Sequence, residues 1–190
     1  GMLEITDARY PNVCVRITVN RVPKPSMVCM VGSQKIRVIV NGLYGYEGMV
    51  CGGAAPPPRG YARQLLSFAI LHQIHRGRVA MHDLIELEAC GQVAGSQRRL
   101  VHLYGRLGFS TVPVRGAEGG QGMDTETGWI DAPAILMRAC VRDVVKYPRY
   151  QGEIIKNGAV YVVADGKLSR PRGETNGRTD SQDSTGRPSE

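Results

Sequence analysis

The stretch RGYAR, residues 59–63, contains a glycine between two arginines, and these residue types could bind a phosphate group. Three prolines precede it, and the apolar spacing that follows predicts that a helix begins there. A helix N-terminus carries unpaired backbone N–H groups and a partial positive charge, and glycine has no Cβ to block an approaching anion. Arg59 and Arg63 would add charge beside Gly60. The stretch therefore indicates a phosphate-bearing ligand, although an ordinary helix start could have the same pattern.

The elements that must position this glycine follow from the hydrophobic periodicity. Residues 2–53 contain β-branched runs interrupted by proline and glycine, which predicts strands. Between Gly60 and Gly77 the apolar residues recur at helical spacing, and residues 84–90 return to a strand pattern. A strand–helix–strand crossover puts the helix N-terminus at the carboxyl end of its strand, where open α/β sheets bind ligands. We therefore expect Gly60 at such an edge.

The rest of the chain divides by composition. The patterns predict a helix over residues 96–108, a strand over 109–114, a glycine-rich loop over 115–128 and strands near 134–137 and 159–164. The final residues are polar and rich in Gly, Ser, Arg and Pro, which predicts disorder. We therefore expect one domain over residues 2–164 and a disordered tail over residues 165–190.

Length, hydropathy and cysteine usage exclude several protein classes. The chain has 190 residues and 42% hydrophobic residues. No apolar run approaches the roughly 20 residues that a membrane span needs. No secretory signal pattern follows Met2, so we expect an intracellular, cytoplasmic protein without a membrane partner, with the nucleus left open. The five cysteines are scattered and never spaced as Cys-x-x-Cys, which favours reduced thiols and no metal site.

The net charge of +7 lies on the predicted domain, because the tail from residue 165 has five basic and five acidic residues. A basic domain favours anionic partners such as phosphorylated cofactors or nucleic acid, and charge alone does not choose among them. Aromatic residues are only 6% of the chain, and no stretch interleaves them with basic residues as a stacking platform would. Nucleic acid is therefore the less favoured partner.

A second stretch, LYGRLGF at residues 103–109, resembles the helix-to-strand signature of the GNAT acetyltransferase superfamily, typically Leu-Tyr-x-x-x-Gly-Phe. The family's cofactor loop has the pattern Gln/Arg-x-x-Gly-x-Gly/Ala, and Gly60 and Ala62 match its last part, whereas Pro57 stands where Gln or Arg is usual. The two motifs also occur in the family's order with a strand between them. The resemblance covers roughly residues 49–114.

The resemblance implies an α/β (α+β) fold with a mixed, mostly antiparallel central sheet, splayed at the cofactor site and flanked by helices. The family's N-terminal helices would be reduced, because residues 7–26 are too few and too β-rich to hold them. Acetyl-CoA, or another acyl-CoA, would be the co-substrate. The implied cofactor-binding residues are Val50, Cys51 and Gly52 for the pantetheine arm, Arg59, Gly60, Tyr61, Ala62 and Arg63 for the pyrophosphate, and Gln97 at the start of the second helix.

The resemblance also implies the chemistry. An acceptor amine attacks the thioester carbonyl directly, a backbone N–H stabilises the oxyanion, and Tyr104 protonates the departing thiolate. The amine must first lose a proton, which calls for a base. Glu86 and Glu88 alternate on the strand between the motifs, and similarly placed glutamates serve in some members of the family, so both are candidates.

Three functions of different class remain open at this point. The first is an acetyl-CoA-dependent N-acetyltransferase that acts on a small-molecule or protein amine. The second is a catalytically inactive module that binds acyl-CoA or a partner, and the third is a basic nucleic-acid-binding domain. Homodimers are common in the family, and the late strands could form such an interface. We favour the acetyltransferase.

Overall fold

The structure is a computed structural model, and it describes residues 1–25, 35–45, 57–90, 96–112, 135–146 and 149–171. Twelve elements lie in these residues. They are the strands and helices β1 (Met2–Asp7), β2 (Cys14–Pro25), β3 (Lys35–Tyr44), α1 (Tyr61–His75), β4 (Leu84–Ala89), α2 (Ser96–Arg106), β5 (Ser110–Thr111), β6 (Ile135–Cys140), α3 (Val141–Val144), β7 (Gly152–Lys156), β8 (Ala159–Ala164) and β9 (Lys167–Ser169).

The strands form one mixed sheet in the order β5-β6-β4-β3-β2-β1-β7-β8-β9. Every pairing of described strands is antiparallel except that of β3 with β4. A mixed, mostly antiparallel sheet with few helices is therefore confirmed. Before Tyr61, the described residues contain strands and no helix.

The sheet separates between the parallel strands β3 and β4 towards their carboxyl ends, and we call this gap the opening. The β3–β4 ladder runs from the pair Ile36 and Leu84 to the pair Val40 and Leu87 and ends there. β3 then continues to Tyr44 beside β2 alone, while β4 continues to Ala89 beside β6 alone. Beyond Val40 and Leu87, β3 therefore pairs with β2 and β4 pairs with β6, and the two parallel strands no longer pair with each other.

A β-bulge in β3 lies at the same point. Arg16 of β2 pairs with Gly42 and the next residue, Ile17, pairs with Val40, so Asn41 is the extra residue on β3. A bulge interrupts the ladder and re-aims the backbone, and bulges are frequent beside binding sites. The bulge therefore lies one residue beyond the last β3 position that pairs with β4.

Helix α1 covers one face of the sheet at β1, β2 and β3. It forms because apolar side chains recur at helical spacing, and Leu65, Leu66, Phe68 and Ile70 are buried in the core. Each such side chain contributes about 1.5–3 kcal/mol to folding through burial. On β2 the alternating valine and isoleucine side chains join this core, whereas Arg16 is exposed on the opposite face.

The sheet extends further towards the C-terminus than the sequence predicted. β7 and the short helix α3 were not predicted, and β9 lies inside the segment expected to be a disordered tail from residue 165, so that boundary is corrected. Asp165 and Gly166 have φ of 52° and 75°, the left-handed values of a two-residue hairpin turn. This turn returns Leu168 to the core, which the polar composition around it concealed. None of the described helices has the length and apolarity to span a membrane.

Candidate functional site

The N-terminus of α1 lies at the edge of the sheet where β3 and β4 end. Because α1 connects these parallel strands, it runs back from the carboxyl end of β3, and its first residue, Tyr61, belongs at that edge of the sheet. Gly60 precedes the helix with φ of 78°. Only glycine adopts this left-handed backbone readily, which explains the residue at this position. The first turn contains no acidic side chain, so the positive end of the helix is not neutralised there.

The predicted phosphate-binding residues occupy different environments around this helix start. Arg59 is exposed and Arg63 is half-buried, and a Cβ added to Gly60 would lie 4.0 Å from Nη2 of Arg63. The Ala62 side chain is buried in the core, so only its backbone could meet a ligand. The backbone N–H of Tyr61 donates to the carbonyl oxygen of Pro58 at 3.1 Å. The positive charge at this end of α1 therefore comes from the helix dipole and from the side chains of Arg59 and Arg63.

The half-buried Tyr61 side chain belongs to an aromatic group around the buried Tyr150. Its ring centroid lies 5.4 Å from that of Tyr10 and 5.2 Å from that of Tyr150. Burial raises the pKa of Tyr61 most, the hydrogen bond with Tyr150 lowers it, and the hydrogen bond with Asp7 raises it, so that the pKa is raised overall. The ring thus anchors the start of α1 to the turn after β1 and to the segment before β7. Neither the ring nor the backbone N–H of Tyr61, which donates to Pro58, is placed to bind a ligand.

Asp7 and Tyr150 form the polar centre of this group, which the sequence analysis missed. Both are fully buried, and the Tyr150 hydroxyl donates to Oδ2 of Asp7. Oδ1 of Asp7 accepts the backbone N–H groups of Arg9 at 2.8 Å and of Tyr10 at 2.6 Å. Burial and the hydrogen bond to Asp7 raise the pKa of Tyr150 far above its usual range. No sequence signal marks this contact, because 143 residues separate the two partners.

The two glutamates proposed as bases share a face of β4 but differ in their surroundings. Glu86 is 3% exposed, and its carboxylate lies 3.3 Å from Nη2 of the buried Arg138 on β6. Glu88 is exposed and lies one residue beyond the end of the β3–β4 ladder. Burial and then the charge of Glu88 raise the pKa of Cys90, so the carboxylate acts on the end of β4. Glu88 is therefore the acid that solvent reaches at the opening.

Tyr104 lies on α2, and its ring is 7% exposed in the core. The ring packs edge-on against Phe109, with the centroids 6.4 Å apart. After α2, the backbone turns at Gly108 with φ of 99°, and a Cβ there would lie 3.1 Å from Cβ of Asp143. The glycine and the aromatic residue of the LYGRLGF stretch thus have packing roles in addition to any chemistry.

Gln97 connects the start of α2 to the end of β4. Its buried Nε2 donates to the carbonyl oxygen of Ala89 at 3.1 Å. This bond brings the N-terminal turn of α2 to the same sheet edge as Glu88 and the start of α1. Val50, Cys51 and Gly52 lie outside the described residues. In the part of the chain that the structure describes, no three His, Cys, Asp or Glu side chains are grouped as metal ligands would be.

Comparisons of the chain with models of known protein families, with curated proteins and with solved structures gave no match.

Proposed function

We propose that this protein is an acetyl-CoA-dependent N-acetyltransferase of the GNAT type. The observation that carries the proposal is the end of the β3–β4 ladder at Val40 and Leu87, at the same edge of the sheet as the N-terminus of α1. Two parallel strands that lose their shared ladder leave backbone groups for an extended ligand to pair with, and the helix N-terminus at the same edge attracts phosphate. Acyl-CoA combines an amide-containing arm with a pyrophosphate, and this edge of the sheet offers a partner for each.

The cofactor would lie with its pyrophosphate on the N-terminus of α1. Arg59 and Arg63 add charge beside it, and Gly60 leaves room for the phosphate oxygens. The pantetheine arm would run between the separated ends of β3 and β4. The bulge at Asn41 turns backbone out of the regular ladder at this point, and a backbone N–H there would stabilise the oxyanion that forms at the thioester carbonyl.

The amine would attack the thioester carbonyl, the carbon–sulfur bond would break, and CoA would leave as a thiolate. Glu88 is the better base, because it is exposed beside the opening whereas Glu86 already neutralises Arg138. It would take the proton that the ammonium form must lose before attack. Tyr104 would donate its hydroxyl proton to the thiolate and recover a proton from solvent or from the amine.

Calorimetric titration of the full chain with acetyl-CoA tests the cofactor site. The best variants are Gly60→Asp and Gly60→Asn, because both side chains tolerate the left-handed backbone and they differ mainly in charge. We expect micromolar binding by the wild type, weaker binding by Gly60→Asn because its side chain takes some of the room for the phosphate, and loss of binding in Gly60→Asp. Folded protein that does not bind acetyl-CoA, or equal affinities in the two variants, would contradict the site.

A second function is favoured by one observation, the burial of Tyr104 in the core. If its hydroxyl never reaches the cofactor sulfur, the same site would bind acyl-CoA without turnover. Such a module would show acetyl-CoA binding in the titration and no CoA release with a panel of primary amines. Amine-dependent release of CoA would decide in favour of the transferase.

A further inference from the structure

A group of basic side chains lies at the C-terminal end of α1, away from the proposed cofactor site. His75, Arg76 and Arg78 are exposed at and just beyond the last turn. The chain has no acidic residue between positions 59 and 82, so no neighbour in sequence neutralises them. A helix of 15 residues is about 22 Å long, which separates this end from Gly60.

The β7–β9 segment brings further cations to the same place. A Cβ added to Gly166, in the β8–β9 turn, would lie 3.8 Å from both Nη1 of Arg149 and Cε1 of His75. Lys156 at the end of β7 acts electrostatically on His72 of α1. The fold therefore gathers cations from two segments that are more than 70 residues apart. We call His75, Arg76, Arg78, Arg149, Lys156 and Arg170 the basic surface.

The positive charges of the basic surface are not balanced locally. The pKa of His72 is lowered, first by burial and then by Lys156, Arg76, His75 and Arg78, all of them basic side chains. None of the ion pairs among the described residues includes a cation of the basic surface. Unneutralised cations that lie close together repel one another and favour an anionic partner.

Two acidic residues lie near these strands, and neither balances the basic surface. Glu153 of β7 is three residues before Lys156 and so projects from the opposite face of the sheet. Asp165 is exposed in the β8–β9 turn, and its carboxylate forms no ion pair with another described residue. One carboxylate in a turn leaves most of the positive charge of the basic surface uncompensated.

An aromatic ring adds a second kind of contact. Tyr161 of β8 pairs with Ile154 and so shares a sheet face with Lys156, and its ring is half-buried against the core. The guanidinium carbon of Arg170 lies 5.8 Å from the ring centroid. A tyrosine ring beside arginine is a surface on which nucleobases stack, whereas an acidic peptide or a lipid headgroup needs no ring.

We propose that the basic surface binds single-stranded nucleic acid, with phosphates on the cations and a base stacked beside Tyr161 and Arg170. The four arginines are exposed and Lys156 is half-buried, so their basic groups can replace counterions along a phosphate backbone. The stacking contact tolerates any base, so the binding has little sequence preference. This function is separate from acetyl transfer and does not depend on it.

Fluorescence anisotropy with a labelled 20-nucleotide single strand, titrated at 50, 100 and 200 mM salt, tests the proposal. The triple variant Arg76→Ala/Arg78→Ala/Arg149→Ala removes three cations of the basic surface. Its matched control, Arg21→Ala/Arg98→Ala/Arg99→Ala, removes three exposed arginines elsewhere. We expect the first triple to reduce the slope of log affinity against log salt by about 2, at about 0.7 per phosphate contact, and the control to keep the wild-type slope.

The stacking contact has its own variant, Tyr161→Leu, which keeps an apolar side chain on the core and removes the ring. We expect about tenfold weaker binding with an unchanged salt slope. Absence of binding by the wild type at 50 mM salt, or equal losses in the two triple variants, would overturn the proposal. So would unchanged affinity in Tyr161→Leu, or equally tight binding to polyglutamate or phosphatidylserine vesicles, since either would mean a general polyanion surface. Circular dichroism verifies that each variant is folded.

Discussion

The Glu86 carboxylate and the Arg138 guanidinium lie 3.3 Å apart at directly paired positions of β4 and β6, and both side chains are buried. A buried pair of this kind neutralises two charges that the sheet could not hold separately. The ion pair also gives the two glutamates of β4 different roles. Glu86 is engaged in holding the sheet together, and Glu88, two residues later, is exposed.

Removal of one partner of this pair should destabilise the fold. We expect Glu86→Ala to lower the free energy of unfolding by about 3–5 kcal/mol, because the buried Arg138 guanidinium loses the carboxylate that lies 3.3 Å from it. Urea denaturation measures the change. The exposed Glu88→Ala is the matched control and should change stability by less than about 0.5 kcal/mol. Equal effects of the two variants would show that the ion pair contributes little.

Tyr104→Phe should separate catalysis from binding if the protein is a transferase. The variant removes only the hydroxyl, so the ring keeps its packing against Phe109. We expect kcat to fall by about 10²-fold or more, because the thiolate loses its proton donor, and the Kd for acetyl-CoA to stay the same. Steady-state kinetics with calorimetry measures both. An unchanged kcat would assign Tyr104 to the core alone.

Glu88→Gln should affect the pH dependence of acetyl transfer. If the Glu88 carboxylate deprotonates the amine, we expect kcat/KM to fall by about 10²-fold and the acidic limb of the profile to disappear. Glu153→Gln, another exposed acid on a strand, should leave the profile unchanged. An acidic limb that survives in Glu88→Gln would assign the proton transfer to another group.

Stability at high pH should depend on the contact between Tyr150 and Asp7. Burial and the hydrogen bond to Asp7 raise the pKa of Tyr150 in the folded state. The unfolded chain therefore loses this proton first, at pH above about 10, and stability falls as pH rises further, by up to about 1.4 kcal/mol per pH unit. Below pH 10 the contribution is fully present.

The measurement is the free energy of unfolding between pH 7 and pH 11. We expect Tyr150→Phe to be less stable than the wild type at pH 7 by about 1–3 kcal/mol and to show a shallower alkaline decline. Tyr44→Phe, which changes an exposed tyrosine, should follow the wild-type curve. Parallel curves for the wild type and Tyr150→Phe would mean that other groups cause the alkaline loss.

Much of the local structure was predictable, because it depends on residues that are neighbours in the chain. The apolar spacing of α1, its start at Gly60 and the strand around Glu86 were all predicted from periodicity. The segment after residue 150 was predicted only in part. β8 was expected, but β7 and β9 are short, and they form because Asn157 and Asp165 accept left-handed backbone in two hairpin turns.

The candidate site was predictable in its residue types and less so in their surroundings. The alternation of side chains along β4 placed Glu86 and Glu88 on one face of the strand. Which of the two forms an ion pair depends on the neighbouring strand β6, which brings Arg138 beside Glu86. In the same way Tyr61 could be predicted at a helix start, while its packing against Tyr10 and Tyr150 depends on segments far away in sequence. Pairings between distant strands leave no periodic signal in the chain.

By itself the sequence determined the mixed α/β class, the helix that begins after Gly60 and the net positive charge, since each depends on local periodicity or on composition. The tertiary structure decided where that charge is concentrated and where the sheet opens. The packing of β7, of the β8–β9 turn and of the segment before β7 brings Lys156 and Arg149 to the end of α1. The strand order sets β3 and β4 side by side until their ladder ends. The physical reason is that both features come from long-range packing, which brings together residues that a reading along the chain treats as unrelated.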